Sequence, residues 1–219
     1  MPSKWRVKRI FSPLVNLLAR GLGKWGISPN GVTWIMLGSA ITSSIVLNLT
    51  GWEPLFGILA FFTGVMDGVD GSIARQFQKT SKTGEFFDSF ADRLSEIILS
   101  LGFLVYFANF AERGIVIGVS IESWIAYMIM GSIMVSYVRA RAVLIVKGDY
   151  DKGLFARSER LFTLVIFSCF WLLSWGIVVV AIGANATALY RGYEYRKMLK
   201  ISGPITPPSP LAKTESEIS

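Results

Sequence analysis

The sequence predicts an all-α, polytopic membrane protein with six transmembrane helices and an N-terminal amphipathic interfacial helix. Three observations predict it. Hydrophobic residues make up 52% of the 219 and charged residues only 17%, where a soluble domain carries about a quarter. The apolar residues gather in six runs, at 31–50, 54–75, 85–109, 116–141, 158–175 and 177–196, each near the roughly 20 residues a spanning helix needs. With the N-terminus inside, all but Arg113 of the 22 Lys and Arg residues fall on one side, as the positive-inside rule requires.

The elements follow in order. Lys4 to Trp25 places Ile10, Leu14, Leu18, Leu22 and Trp25 at helical spacing, with Lys4, Arg6, Lys8 and Arg9 crowding its start. A basic amphipathic segment of this kind lies in the interface plane. It has no compact apolar core before a small-residue site, so it does not read as a cleavable signal. Ser28-Pro29-Asn30 breaks it, because proline disfavours helix in the residue before it. Residues 1–27 therefore form the juxtamembrane helix, 28–200 the membrane domain, and 201–219, rich in Pro, Ser, Thr and Glu, a disordered tail. Short turns at Gly51-Trp52 and near Gly176 predict antiparallel hairpins. Trp52, Trp124 and Trp175 fall near the face opposite the basic loops, as an aromatic belt does. Asn48-Leu49-Thr50 and Asn185-Ala186-Thr187 match a glycosylation pattern, but both lie in or against spans and read as chance matches. Both termini are expected in the cytoplasm, on a multi-pass protein of the cell membrane.

The residue inventory narrows the chemistry. There is no histidine, and the single cysteine, Cys169, lies in an apolar run. Histidine triads, intrachain disulfides and ordinary zinc sites are excluded. The net charge of +7 is explained by cytoplasmic loops facing anionic lipid rather than by nucleic acid.

Four aspartates stand at the cytoplasmic ends of spans two and three. Asp67 and Asp70 are three apart, Asp88 and Asp92 four apart, so each pair shares one helical face. The hairpin between the spans brings the two faces together. Carboxylates at membrane depth cost several kcal/mol unless paired or metal-bound, and four together repel. An oxygen-only set suits hard ions such as Mg2+ or Mn2+, and two such cations can share four carboxylates. Gly71 and Ala74 leave room on the same face, Arg75 offers a fork for phosphate, and Gly84 allows backbone approach. A transporter using mid-membrane acids is the rival reading, disfavoured because these acids sit near one face and the chain has no internal repeat.

The stretch Asp67-x2-Asp70-Gly71-x2-Ala74-Arg75-x8-Gly84-x3-Asp88-x3-Asp92 resembles, position for position, the signature of the CDP-alcohol phosphotransferase family. That resemblance implies a homodimer of six-helix subunits. It further implies that Asp67, Asp70, Asp88 and Asp92 hold two divalent cations and that Asp92 takes the proton of the acceptor hydroxyl. Gly71, Ala74, Arg75 and Ser81 would bind the CDP moiety of a CDP-linked lipid, with Asn30, Gly31, Val32 and Thr33 approaching the nucleotide from span one. An activated hydroxyl would attack the phosphorus bearing the lipid, and CMP would leave.

A second basic set marks the acceptor. Ser136, Arg139 and Arg141 end span four, Arg157 and Arg160 precede span five, and Arg191 ends span six. Converging arginines suit a phosphorylated acceptor. Ser136-Tyr137-x-Arg139-Ala140-Arg141-Ala142 and Arg157-x-Glu159-Arg160 are similar to the branch that makes phosphatidylinositol phosphate or its archaeal ether-lipid counterpart. This implies inositol 1-phosphate as acceptor, its phosphate held by Ser136, Arg139, Arg157 and Arg191. Arg139 stands where that branch commonly has Lys, Val143 where it has an acid, and Ala156 and Ser158 where it has Glu and Pro. Glycerol 3-phosphate and then serine are the competing acceptors.

Overall fold

Helix boundaries fall where capping chemistry puts them. The computed structural model describes residues 11–110, 114–145 and 155–201. The first helix, α1 (Ser12–Lys24), carries proline in its opening turn. α2 (Pro29–Thr50) begins at Ser28, whose Oγ accepts the Gly31 N–H at 3.1 Å. It stops at Gly51, which takes the left-handed conformation (φ +66°) and donates its N–H to Leu47 O. α3 (Glu53–Gln76) follows at once. α4 (Lys82–Asn109) opens at Ser81, whose Oγ accepts the Gly84 N–H at 3.0 Å. A two-residue hairpin, β1 (Ile115–Val116) with β2 (Val119–Ser120), pairs Ile115 with Ser120. α5 (Ile121–Ile145), α6 (Arg157–Cys169) and α7 (Leu173–Ile201) complete the described chain. The basic start of the N-terminal segment (Lys4, Arg6, Lys8, Arg9), Arg113, and the tail beyond residue 201 lie outside the described residues.

The all-α expectation is met, but the six expected spans are not all alike. α2, α3, α5 and α7 are long and apolar enough to cross a bilayer. α4 has the length, yet its first fifteen residues carry Lys82, Glu85, Asp88, Asp92, Arg93 and Glu96. α6 has only 13 residues, about 20 Å at a rise of about 1.5 Å per residue, against a hydrocarbon layer of about 30 Å. The turn expected near Gly176 falls earlier, at residues 170–172. There Trp171 adopts φ 59°, and the Leu173 N–H is captured by Glu53 Oε2 at 3.0 Å. Gly176 instead lies inside α7, where a Cβ would stand 2.8 Å from Phe167 Cβ. Its role is close packing of α6 on α7. The run expected to begin span four at 116 starts with the hairpin, and the helix begins at Ile121.

Each of the six helices after α1 packs chiefly on two others, giving a closed cycle: α2, α3, α6, α7, α5, α4 and back to α2. The α4–α5 seam is the sparsest, and α1 lies against α3. Small and amide residues let the backbones approach, as in membrane bundles generally. A Cβ on Gly102 would meet Ser44, and one on Gly131 would meet Asn185. Asn48 Nδ2 donates to Gly102 O at 3.1 Å and Asn185 Nδ2 to Tyr127 O at 2.8 Å. Both asparagines of the glycosylation-like triplets are thus committed to helix contacts. One apolar cluster, around Phe56, Phe103, Tyr106 and Ile177, fills the end of the ring where α3, α5 and α7 begin. Trp52, Trp124 and Trp175 stand at that same end. A second cluster, Val32, Met36, Val65, Val69 and Ile73, supports α1. The aspartates lie toward the other end.

Candidate active site

Helical period places the acids. Asp67 and Asp70 occupy the second half of α3 and Asp88 and Asp92 the first half of α4. α2 packs on both helices and holds them together. Carboxylate oxygens of Asp67, Asp88 and Asp92 come within 4.8 Å of one another. Asp70 stands just outside this trio. Its Oδ2 accepts the Thr33 hydroxyl of α2 at 3.1 Å, and its Oδ1 accepts the Gly71 N–H at 2.6 Å. The donor set fits a hard divalent cation: three convergent carboxylates, oxygen donors only, and too much negative charge to remain together without a cation. Asp67, Asp88 and Asp92 can therefore hold Mg2+ or Mn2+, with Asp70 next in reach.

Two cavities meet at this cluster. The first, about 430 Å3, is bordered by Asp67, Asp70, Asp88, Asp92, Arg75 and Arg157 on its polar side. Its other side is apolar: Phe61 and Gly64 of α3, Leu161, Phe162 and Val165 of α6, and Phe11 and Val15 at the start of α1. α1 is fastened there by Asn16, whose Oδ1 accepts the Ser72 hydroxyl at 2.8 Å, and by Phe11 packing on Phe61 and Phe162. The second cavity, about 490 Å3, lies between α2, α3 and the α3–α4 turn. Asp70, Gly71, Arg75 and Asp88 border both.

Of the residues expected at the CDP moiety, Asn30, Thr33, Gly71, Ala74, Arg75 and Ser81 line the second cavity. Gly31 and Val32 do not. The Gly31 N–H is spent on the helix cap, and Val32 is fully buried in the apolar cluster. Gly71 leaves space for the guanidinium of Arg75, whose Nη1 would be 3.3 Å from a Cβ at that position. Lys79, Thr80 and Lys82 also line the cavity. Among these, the two lysines read in sequence only as loop charges setting topology.

The four residues expected at the acceptor phosphate separate. Only Arg157 borders the carboxylate cavity. Its Nη1 pairs with Asp67 and, at 2.7 Å, with Asp92 Oδ1, while Nη2 donates to Ser95 Oγ at 2.8 Å. Ser136 donates to Ser132 O within α5. Arg191, 2% exposed, donates to Val135 O at 3.0 Å and so ties α7 to α5. Arg139 is exposed near the end of α5. Arg160, counted with them in sequence, is buried and engaged by Glu96. Ser95 and Glu96 were missed because a lone serine and glutamate on a long helix carry no spacing signal.

Oxygen donors beside a cavity lined by Arg75 and two lysines, sunk in a membrane bundle, are what metal-assisted phosphoryl transfer to or from a lipid requires. The chain belongs to the CDP-alcohol phosphatidyltransferase family, whose model matches residues 27–189, and it is a CDP-alcohol phosphotransferase. It is 33% identical over 202 residues to the archaetidylinositol phosphate synthase of Pyrococcus horikoshii, covering 92% of this chain and 100% of that one. The phosphatidylinositol phosphate synthase of Mycobacterium tuberculosis shares the fold. Its structure with CDP-DAG bound superposes with a TM-score of 0.73 at 21% identity, over 89% of this chain and 100% of that one. Its complex with manganese and citrate superposes at 0.74 and 21% identity, over 88% and 93%.

Proposed function

We propose that this enzyme transfers the phosphoryl-lipid group of a CDP-linked lipid to inositol 1-phosphate and releases CMP, at the cytoplasmic face of the membrane with both termini in the cytoplasm. The observation that carries the acceptor assignment is Arg157. A guanidinium delivered beside Asp67 and Asp92 gives an anionic acceptor its partner next to the group that would take its proton. The name of the P. horikoshii relative supports the same acceptor class.

The two cavities divide the substrates. The cytidine and its phosphate fit the second cavity, against Asn30, Thr33, Arg75 and Ser81, with Lys79 and Lys82 offering further positive charge. The lipid runs along the apolar side of the first, between α1, α3 and α6, which opens the polar cluster to hydrocarbon. The acceptor approaches the polar side of the first cavity from the cytoplasm. Divalent cations on Asp67, Asp70, Asp88 and Asp92 would neutralise the pyrophosphate and the departing CMP. Asp92 accepts the proton of the attacking hydroxyl. The hydroxyl oxygen bonds to the phosphorus bearing the lipid as the bond from that phosphorus to CMP breaks. Arg75 orients the phosphate, and Arg157 orients the acceptor. Arg139 and Arg191, with Ser136, would guide it from the α5–α7 side.

The test is CMP release by purified protein with CDP-lipid and Mg2+, offering inositol 1-phosphate, glycerol 3-phosphate and serine in turn. Release with inositol 1-phosphate alone is expected, reduced about 10²–10⁴-fold in Asp92→Asn, the usual contribution of a general base. Release with a different acceptor overturns the acceptor assignment and leaves the transferase intact.

A further inference from the structure

We infer that Glu96 and Arg160 are positioning residues: their buried ion pair sets α6 against α4 so that Arg157 meets the carboxylate cluster. In the cycle of helices α4 and α6 are not neighbours. Two helices separate them on either side, α2 and α3 one way, α5 and α7 the other, and their own backbones have little direct packing. Long side chains cross the interior instead. Arg157 reaches Asp92 and Ser95 of α4. One turn further along both helices, Arg160 grips Glu96 through Nε at 2.8 Å to Oε1 and Nη2 at 3.0 Å to Oε2. The third arm of the same guanidinium, Nη1, donates to Phe155 O at 3.0 Å, which fixes the backbone two residues before Arg157.

Arg160 is 2% exposed. A buried ion pair is a poor stabiliser, because desolvation offsets much of its attraction, and its best-attested benefit is to fix one register among several. The register fixed here is the one that matters. Asp88, Asp92, Ser95 and Glu96 follow one another along α4, and Arg157 and Arg160 match them from α6 at helical spacing. The small void beside the pair, bordered by Ser95, Leu99, Leu161 and Leu164, leaves room for α6 to shift if the fork is lost. The fork itself is not a substrate contact, since neither Glu96 nor Arg160 borders either large cavity.

This inference rests on Arg157 serving the acceptor, and the experiment separates the two. Steady-state CMP release would be measured for Glu96→Gln, Arg160→Lys and Arg157→Gln, and for Glu96→Gln combined with Arg157→Gln. KM would be determined separately for the phosphorylated acceptor and for CDP-lipid, using whichever acceptor the wild type accepts. A clamp predicts that Glu96→Gln and Arg160→Lys each raise the acceptor KM about tenfold, a 1.4 kcal/mol effect, while the CDP-lipid KM stays within about twofold. In the Arg157→Gln background, Glu96→Gln should add nothing further. Independent, multiplying effects in the double variant, or equal changes in both KM values, would overturn the clamp. So would a lowered melting temperature with both KM values unchanged. If Arg157→Gln alone leaves the acceptor KM unchanged, the assignment of Arg157 fails and the clamp fails with it. If Arg157→Gln raises it but the clamp variants do not, the clamp alone fails. Arg160→Lys keeps the charge and loses the fork, so it serves even if Glu96→Gln folds poorly.

Discussion

At the scale of single residues, function depends on small groups left small. Gly84 sits in the first turn of α4, where a Cβ would lie 2.9 Å from Ser81 Oγ and 3.3 Å from Asn30 Oδ1. Both residues line the cavity assigned to the nucleotide. Gly84→Ala should therefore raise the KM for CDP-lipid several-fold and leave the acceptor KM alone, as substrate-dependence curves would show. An unchanged CDP-lipid KM would mean the nucleotide does not use that wall. The hairpin side of this site was legible in the sequence, because Asp67 to Asp92 span 26 positions and helical spacing aligns the acids with Gly71, Ala74 and Arg75; Asn30 and Thr33 of α2 entered only through the family resemblance. The acceptor residues were not legible. Ser136, Arg139, Arg157 and Arg191 come from three helices, and nothing local to each says which will point inward. Arg157 borders the carboxylate cavity; Arg191, whose Nη1 donates to Val135 O, stands on the α5–α7 side and does not.

At the scale of elements, helix ends decide where the bundle is held. Glu53 opens α3 yet is buried, taking the Tyr106 hydroxyl at 3.1 Å and the first N–H of α7 at 3.0 Å. One carboxylate thus caps α7 and joins it to α3 and α4, at the end remote from chemistry. Glu53→Ala leaves both donors unsatisfied, at about 1–3 kcal/mol for each buried polar group. The melting temperature in detergent should fall by several degrees while both KM values hold. An unchanged melting temperature would remove the cap from the account. Sequence periodicity found each helix among the described residues but misjudged α6, because the run stays largely apolar from Leu161 to Trp175 and hydrophobicity does not mark a turn made by Phe170, Trp171 and Leu172. The stop is made by tertiary capture of the Leu173 N–H, 120 residues from its acceptor in sequence.

At the scale of the whole molecule, six helices of the described residues close into a ring with the chemistry toward one end and Trp52, Trp124 and Trp175 at the other. The proposed orientation places Lys79 in the cytoplasm and Ser123, in the first turn of α5, on the opposite side. In a Cys169→Ser background, an impermeant maleimide should label Lys79→Cys only from the cytoplasmic side and Ser123→Cys only from the other. The reverse pattern would invert the molecule and move the active site with it.

The shortness of α6 has a consequence for the bilayer itself. From the turn at residues 170–172 the helix rises only about 20 Å before it ends at Arg157. Asp67 stands at matching height, since 14 residues separate it from Glu53, about 21 Å of helix. Where α6 faces lipid it offers a wall shorter than the hydrocarbon layer, and hydrophobic mismatch there would draw the headgroup plane inward, at a cost of fractions of a kcal/mol per Å. Such thinning would carry the pyrophosphate of a membrane-resident substrate down to the depth of the carboxylates without lifting its tails into water. In liposomes of increasing acyl length, at constant surface charge, turnover should decline as the bilayer thickens. A rate indifferent to thickness would mean that the substrate climbs to the site by itself.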